Sequence, residues 1–233
     1  MYNPNESISI NHSISATNTF LQKVYLWMMV GLAMTALASA FMLSSQTAQQ
    51  LIFGNKIVFY GLIFAELGMV IAISAAINRM SSATATLLFV LYSALNGVTF
   101  AAIFMIYTRS SIASTFLVTA GTFGAMSLYG YVTKKDLTGF GSFLFMGLIG
   151  IVIASVVNIF LQSEMIYWVT TYIGVFVFVG LTAYDTQKIK KIGEAGFANG
   201  EDQQKAAILG ALRLYLDFIN LFLMLLRIMG GRR

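Results

Sequence analysis

The sequence predicts an all-α polytopic membrane protein, a seven-helix transmembrane bundle. Of the 233 residues, 58% are hydrophobic and only 10% are charged, whereas soluble domains carry about 25% charged residues. The apolar runs are long and continuous, which favours helices over the short alternating strands of a membrane barrel. The chain is therefore expected to be embedded in a lipid bilayer.

Seven apolar runs are each long enough to cross a bilayer. They lie at about 24–43, 57–78, 84–107, 112–132, 140–161, 165–185 and 206–229. Each should be helical, because lipid offers no partners to an open strand edge. The only proline is Pro4, so the helices should be unbroken. The spans form a predicted transmembrane domain over 23–233, with one substantial charged loop at 186–205.

Residues 1–22 form a polar N-terminal segment, predicted to be cytoplasmic. They lack the basic and apolar regions of a signal peptide, so the first helix is expected to direct targeting. The only histidine, His12, lies here, and the chain has no cysteine. Nucleotide-binding, zinc-protease and hydrolase motifs do not occur either. The sequence therefore predicts neither an enzyme nor a resident cofactor, and nucleic acid is not an expected partner.

The basic residues predict the orientation in the membrane, because cytoplasmic span ends carry an excess of Lys and Arg. One side holds eight of them, namely Lys23, Arg79, Lys134, Lys135, Lys188, Lys190, Lys191 and Lys205. The other side holds five, namely Lys56, Arg109, Arg227, Arg232 and Arg233. This distribution predicts a cytoplasmic N-terminus and an external C-terminus.

Two aspartates stand out in the apolar runs. Asp217 interrupts LYLDFINLFLMLLRI, and Asp185 closes VFVFVGLTAYD. A carboxylate at a helix centre costs roughly 2.5–3.5 kcal/mol even on lenient insertion scales, and it usually faces a bundle interior or a water-filled path. If the two meet, they cannot easily ionise together. A shared proton would make the pair a pH sensor.

A plainer interpretation stays open for both aspartates. Asp217 could pair only with Arg213 one turn earlier, and Asp185 could be a solvated helix end beside Lys188. Counting from residue 206 puts Asp217 about 16 Å into its helix, deeper than Asp185. Pairing therefore requires the last helix to begin earlier, or water to enter from the cytoplasm.

The last span carries a polar stripe. Arg213, Asp217, Asn220, Met224 and Arg227 follow one another at spacings of four and three, which places them on one helix face. Leucine and phenylalanine fill most of the remainder. Such a helix should lie inside the bundle, with the stripe facing protein or water.

Two further charges mark the second span. Glu66 has no partner in its own helix, and its predicted depth matches that of Arg227. A Glu66–Arg227 bridge would neutralise both, for either a structural or a gating purpose. Arg79 ends the same span, on the side of the membrane where Asp185 is also predicted. There it could bind that carboxylate as a latch, or it could serve only as a topology signal.

The ending ALRLYLDFINLFLMLLRIMGG, the stretch GLTAYDTQKIK and the seven spans resemble the Bax inhibitor-1 (transmembrane Bax inhibitor motif) family, especially its bacterial branch containing YccA and YetJ. The resemblance implies a central last helix and a pH-sensitive calcium leak in the bacterial inner membrane. It assigns the sensing pair, also weak and transient calcium ligands, to Asp185 and Asp217. It further implies a latch at Arg79 and an ion pair of Glu66 with Arg227.

The hypothesis is a leak that is closed when the aspartates share a proton and opens when they repel each other. Calcium would be the permeating ion, held weakly because it prefers six to eight oxygen ligands. One alternative, also from the resemblance, is a non-transporting regulator of a membrane-anchored quality-control protease that uses the N-terminal segment. Another is a proton-coupled transporter, although no internal repeat or broken helix pair indicates a substrate site.

Overall fold

The computed structural model describes residues 4–233, with side chains described from residue 15 onward. Eight α-helices occupy this part of the chain: α1 (Pro4–Ser44), α2 (Gln46–Phe53), α3 (Lys56–Ala76), α4 (Ser82–Ile106), α5 (Arg109–Val132), α6 (Thr138–Leu161), α7 (Glu164–Ala195) and α8 (Gly200–Met229). All except the short α2 are long and apolar enough to cross a membrane. The predicted all-α protein with seven spans is confirmed. The side chain of His12 lies outside the described part.

The packed region begins earlier than the predicted boundary at residue 23. Thr17, Phe20 and Leu21 are only 4%, 1% and 6% exposed, although the sequence assigned them to a polar segment. The helix α1 is continuous from Pro4 to Ser44. Since the apolar run was counted from residue 24, the amphipathic turns before it were missed.

The charged loop predicted at 186–205 is mostly helical, so this prediction was wrong. Helix α7 continues to Ala195, and α8 already begins at Gly200. Thr186, Gln187 and Ile189 are 1%, 7% and 1% exposed, so one side of the helix is packed beyond residue 185. Lys190 Nζ lies on this packed side and donates to Tyr131 O of α5 at 3.0 Å. The helix ends before Gly196, whose φ of 77° lies in the left-handed region that glycine adopts easily. Asp185 therefore lies well inside α7 and not at its end.

The chain divides into two compact units, and the first contains residues up to Ile106 together with Lys191–Tyr215. In it α1 packs against α4, and α4 packs against α3. Side-chain hydroxyls of α1 bond to main-chain carbonyls of α4: Thr35 Oγ1 donates to Ser93 O at 2.9 Å and Ser39 Oγ donates to Gly97 O at 2.6 Å. Hydroxyl bonds of this kind hold helices together where lipid provides no hydrophobic driving force.

The second unit comprises Tyr107–Lys190 and Leu216–Arg233. Its apolar core comes from α6, α7 and α8, with buried residues Leu144, Ile151, Val177, Phe178, Leu181, Leu221 and Met224. Helices α5 and α7 approach closely at Gly130, where an added Cβ would lie 2.2 Å from the carbonyl oxygen of Ala183. Gln187 of α7 donates to Lys135 O at 2.8 Å and accepts from Leu137 N at 2.9 Å. These contacts fix α7 to α5 and to the turn before α6.

Helix α8 is the most buried of the seven spans, with 67% of its apolar window inside the protein. Its residues up to Tyr215 belong to the first unit and those from Leu216 onward to the second. This burial agrees with the polar stripe, which predicted a last helix inside the bundle, and with the central last helix that the resemblance implied.

Candidate functional site

Both aspartates of the predicted sensing pair lie in the second unit. Asp217 of α8 is 5% exposed, and Asp185 of α7 is half-buried. A carboxylate this deep in an apolar helix is expensive, and such groups in spans are typical of functional sites.

Helix α5 contacts the residue that follows each aspartate. The ring centroids of Phe123 and Phe218 are 5.5 Å apart, and the Ser127 and Thr186 hydroxyls are 3.0 Å apart. Phe123 and Ser127 are four residues apart on α5, one helical turn. Successive turns of one helix therefore hold the chain next to Asp217 and next to Asp185. The pairing of the two carboxylates itself stays a prediction.

The predicted helix ends exaggerated the apparent difference in depth. They placed the start of the last helix at 206 and the end of the preceding span at 185, whereas α8 begins at Gly200 and α7 runs to Ala195. Counted from the observed ends, Asp217 lies 17 residues into α8 and Asp185 lies 10 residues before the end of α7, so a smaller difference remains. Pairing required one of two conditions, and the earlier start of α8 is one of them. The interpretation of Asp185 as a helix end loses its basis.

The polar stripe of α8 is not uniformly buried. Asp217 is 5% exposed, whereas Arg213, Asn220 and Arg227 are half-buried. The Asn220 amide donates to Leu216 O one turn back, at 2.8 Å. Asp217 is thus the most deeply placed charge of the stripe.

The predicted Glu66–Arg227 bridge and the Arg79 latch each join residues of different units, and both stay predictions. Arg227 lies over the ring of Tyr167, 5.2 Å from its centroid. Its Nη1 is 4.0 Å from the sulfur of Met224. Arg79 ends a short 3-10 turn, Ile77–Arg79, that follows α3.

Glu66 is half-buried on α3 and accepts hydrogen bonds from α4. Thr99 Oγ1 donates to it at 3.1 Å and Asn96 Nδ2 at 3.4 Å. Asn96 also donates to the Tyr92 hydroxyl at 3.0 Å. Sequence reasoning missed these partners, although Tyr92, Asn96 and Thr99 share a helical face by their spacings of four and three.

Substituting Glu66 with leucine is expected to leave the stability of the protein unchanged or slightly raised. Thr99 and Asn96 keep their bonds to Asn96 O and to Tyr92, and each lost interhelical bond is worth only about 0.6 kcal/mol. Removing a carboxylate from a span offsets that loss. Thermal unfolding of the purified variant, with Glu66→Gln as the isosteric control, tests this expectation. A loss of more than about 2 kcal/mol would show that Glu66 serves packing.

Among the described residues, no three His, Cys, Asp or Glu side chains gather into a metal-binding group. The predicted calcium site needs only two carboxylates with carbonyl oxygens, so this finding does not test it. Two carboxylates fall short of the six to eight oxygen ligands of a tight calcium site.

The comparisons with known proteins cover nearly the whole chain. A family model described as "Inhibitor of apoptosis-promoting Bax1" matches residues 17–233. The chain is 56% identical over 228 residues to the inner membrane protein YbhL of Escherichia coli (strain K12), covering 97% of each chain. It is 50% identical over 216 residues, 93% of each chain, to an uncharacterized protein of Borreliella burgdorferi. An uncharacterized membrane protein of Streptococcus pyogenes serotype M1 is 37% identical over 228 residues, 97% of this chain and 98% of the relative.

Proposed function

Because the chain belongs to the Bax inhibitor-1 family, we propose that this integral membrane protein conducts a pH-sensitive calcium leak. The proposal places it in the bacterial inner membrane, since the relative YbhL is named an inner membrane protein. The protein acts on ions and protons in the bilayer and performs no enzymatic chemistry. Its N-terminus faces the cytoplasm and its C-terminus the exterior.

The observation that carries this proposal is the environment of Asp217. This carboxylate is 5% exposed in the most buried span. Thr186 and Phe218, which follow the two aspartates in sequence, contact successive turns of α5. A costly group in such a position is retained where it faces an ion or proton pathway.

In the proposed mechanism, one proton shared by Asp185 and Asp217 keeps the pathway closed at low pH. Loss of this proton leaves two like charges in a region of low dielectric, where they repel strongly. Helices α7 and α8 then shift, and a calcium ion passes the two carboxylates with help from main-chain carbonyls. A site of so few ligands binds calcium weakly, which suits a leak.

Replacing Asp217 with asparagine is expected to remove the pH dependence of calcium flux, because an amide cannot ionise. The full-length protein is reconstituted in liposomes with an internal calcium dye, and flux is compared at acidic and alkaline pH. The matched control is Asp202→Asn, whose carboxylate is 47% exposed and lies 3.3 Å from Lys205 Nζ. An Asp217→Asn variant with the flux and pH response of the wild type would rule the proposed mechanism out.

The protease-regulator hypothesis needs a truncation that respects the packed residues of α1. Thr17 and Phe20 are buried, so a deletion through residue 20 would damage the first unit as well as removing a contact segment. Deleting residues 2–14 leaves those side chains in place. Unchanged calcium flux together with loss of protease modulation would assign the N-terminal segment to the second activity.

A further inference from the structure

A cavity of about 550 Å³ opens at one end of the second unit. It lies between the turn that joins α6 to α7 and the residues that follow α8. Its lining includes Asn158, Glu164, Tyr167, Trp168, Arg227 and Arg232. The volume falls within the range of roughly 300–1,000 Å³ that is usual for small-molecule sites.

Hydrogen bonds fix the segments that carry the lining residues. Gly231 accepts from Thr108 N at 3.0 Å and donates to Ser111 Oγ at 2.9 Å. Tyr107 and Arg232 form an antiparallel main-chain bridge. Across the cavity, Asn158 Oδ1 accepts from Ser163 N at 2.8 Å, which holds the α6–α7 turn. The chain after α8 is therefore held in place beside the cavity.

The charges in the lining are of both signs. Arg227 and Arg232 present guanidinium groups, whose planar donors match phosphate oxygens better than an ammonium does. Glu164 supplies one carboxylate and Trp168 one indole ring, whereas the ring of Tyr167 already has Arg227 over it, 5.2 Å from its centroid. A purely anionic ligand would meet the repulsion of Glu164. A ligand carrying a phosphate and an ammonium group would complement the charges of both signs.

The surface beside the cavity is strongly apolar. Phe160 and Leu161, which precede the α6–α7 turn, are 81% and 62% exposed, and Met165, which follows it, is 76% exposed. Tyr167 and Trp168 are residue types that are enriched where a membrane meets water. A polar cavity next to an exposed apolar surface has the layout of a phospholipid, with the headgroup in the cavity and the acyl chains alongside.

We propose that this cavity binds the phosphoethanolamine headgroup of a membrane phospholipid. The phosphate lies between Arg227 and Arg232, and the ammonium group lies against Glu164. Lipid bound here would hold the end of α8 against the α6–α7 turn.

The test measures lipid retention by the purified full-length protein, using native mass spectrometry with short-chain phosphatidylethanolamine, phosphatidylcholine and phosphatidylglycerol. We expect phosphatidylethanolamine to be retained best. Arg232→Gln should lower its retention about tenfold, because a charge-assisted contact is lost. Arg232 is exposed, so the fold should tolerate the change. The adjacent Arg233→Gln is the matched control and should behave as the wild type.

A second variant tests the ammonium half of the site. Glu164→Gln should weaken phosphatidylethanolamine binding and leave phosphatidylglycerol binding unchanged or stronger, since the carboxylate no longer repels an anion. Three results would each overturn the proposal. They are equal retention by Arg232→Gln and Arg233→Gln, no lipid preference in the wild type, and full displacement of lipid by inorganic phosphate, which would assign the cavity to a free anion.

Discussion

Calcium flux through the Asp185→Asn/Asp217→Asn double variant should match the flux through either single variant, and all three should lose the pH response. If the carboxylates share one proton, each needs the other for the repulsion that opens the pathway. Residues that act as a unit give non-additive effects, so the second substitution should remove nothing further. Two unit charges 4 Å apart at an effective dielectric of about 20 repel by about 4 kcal/mol. The wild type should therefore change its flux with pH by more than about a hundredfold, and each of the three variants should lose this change.

The measurement is a double-variant cycle in liposomes, with flux recorded across a pH series for the wild type, both single variants and the double variant. Asp202→Asn, at the surface pair with Lys205, is introduced into each as a background control and should change none of them. Additive effects, in which the double variant loses the product of the two single losses, would contradict a shared proton.

The same flux measurement, with Arg213→Gln added, distinguishes the aspartate-pair mechanism from the plainer interpretation of Asp217. If Asp217 were paired only with Arg213 one turn earlier on α8, then Arg213→Gln should reproduce the effect of Asp217→Asn. Asp185→Asn should then leave the pH response intact. In the aspartate-pair mechanism Asp185 is instead as important as Asp217. An Asp185→Asn variant with the pH response of the wild type would support the plainer interpretation.

The spans were predictable because hydropathy measures the property that a bilayer selects. The helix ends near the charged segment were not, because hydropathy treats Lys188, Lys190 and Lys191 as the end of a span. Thr186 and Ile189 are nevertheless buried at 1% exposure each. An amphipathic extension of this kind is visible in the sequence only if each face of the helix is examined separately.

The site residues also differed in how far the sequence could predict them, because some depend on one helix alone and others on the packing of several segments. Asp217 is conspicuous because a carboxylate in an apolar run is costly wherever it lies. The contacts of Glu66 with Thr99 and Asn96 depend on the register between α3 and α4, which no single-helix pattern specifies. Arg232 was counted only as a topology charge. Its place beside Tyr107 depends on the path of the chain after α8, which tertiary packing determines.

Gly130→Ala is expected to destabilise the protein, whereas Gly124→Ala on the same helix should stabilise it. At Gly130 the new Cβ would lie 2.2 Å from the oxygen and 2.9 Å from the carbon of the Ala183 carbonyl. These are main-chain atoms, so α5 and α7 must move apart, and such overpacking costs about 1–3 kcal/mol. At Gly124 nothing lies within 4 Å of the added Cβ. There the higher helix propensity of alanine contributes about 1 kcal/mol of stability.

Thermal unfolding of both variants in the same detergent and lipid measures this difference, and shifts of the same sign would contradict the close approach of α5 and α7. The displacement should also reach the proposed sensor, because Ala183 lies two residues before Asp185 on α7 and Ser127 bonds to Thr186 at 3.0 Å. Moving α7 away from α5 changes the position of Asp185 relative to Asp217, and so changes how strongly each carboxylate opposes ionisation of the other. Gly130→Ala should therefore shift the pH at which flux begins, while Gly124→Ala should leave it where it is in the wild type.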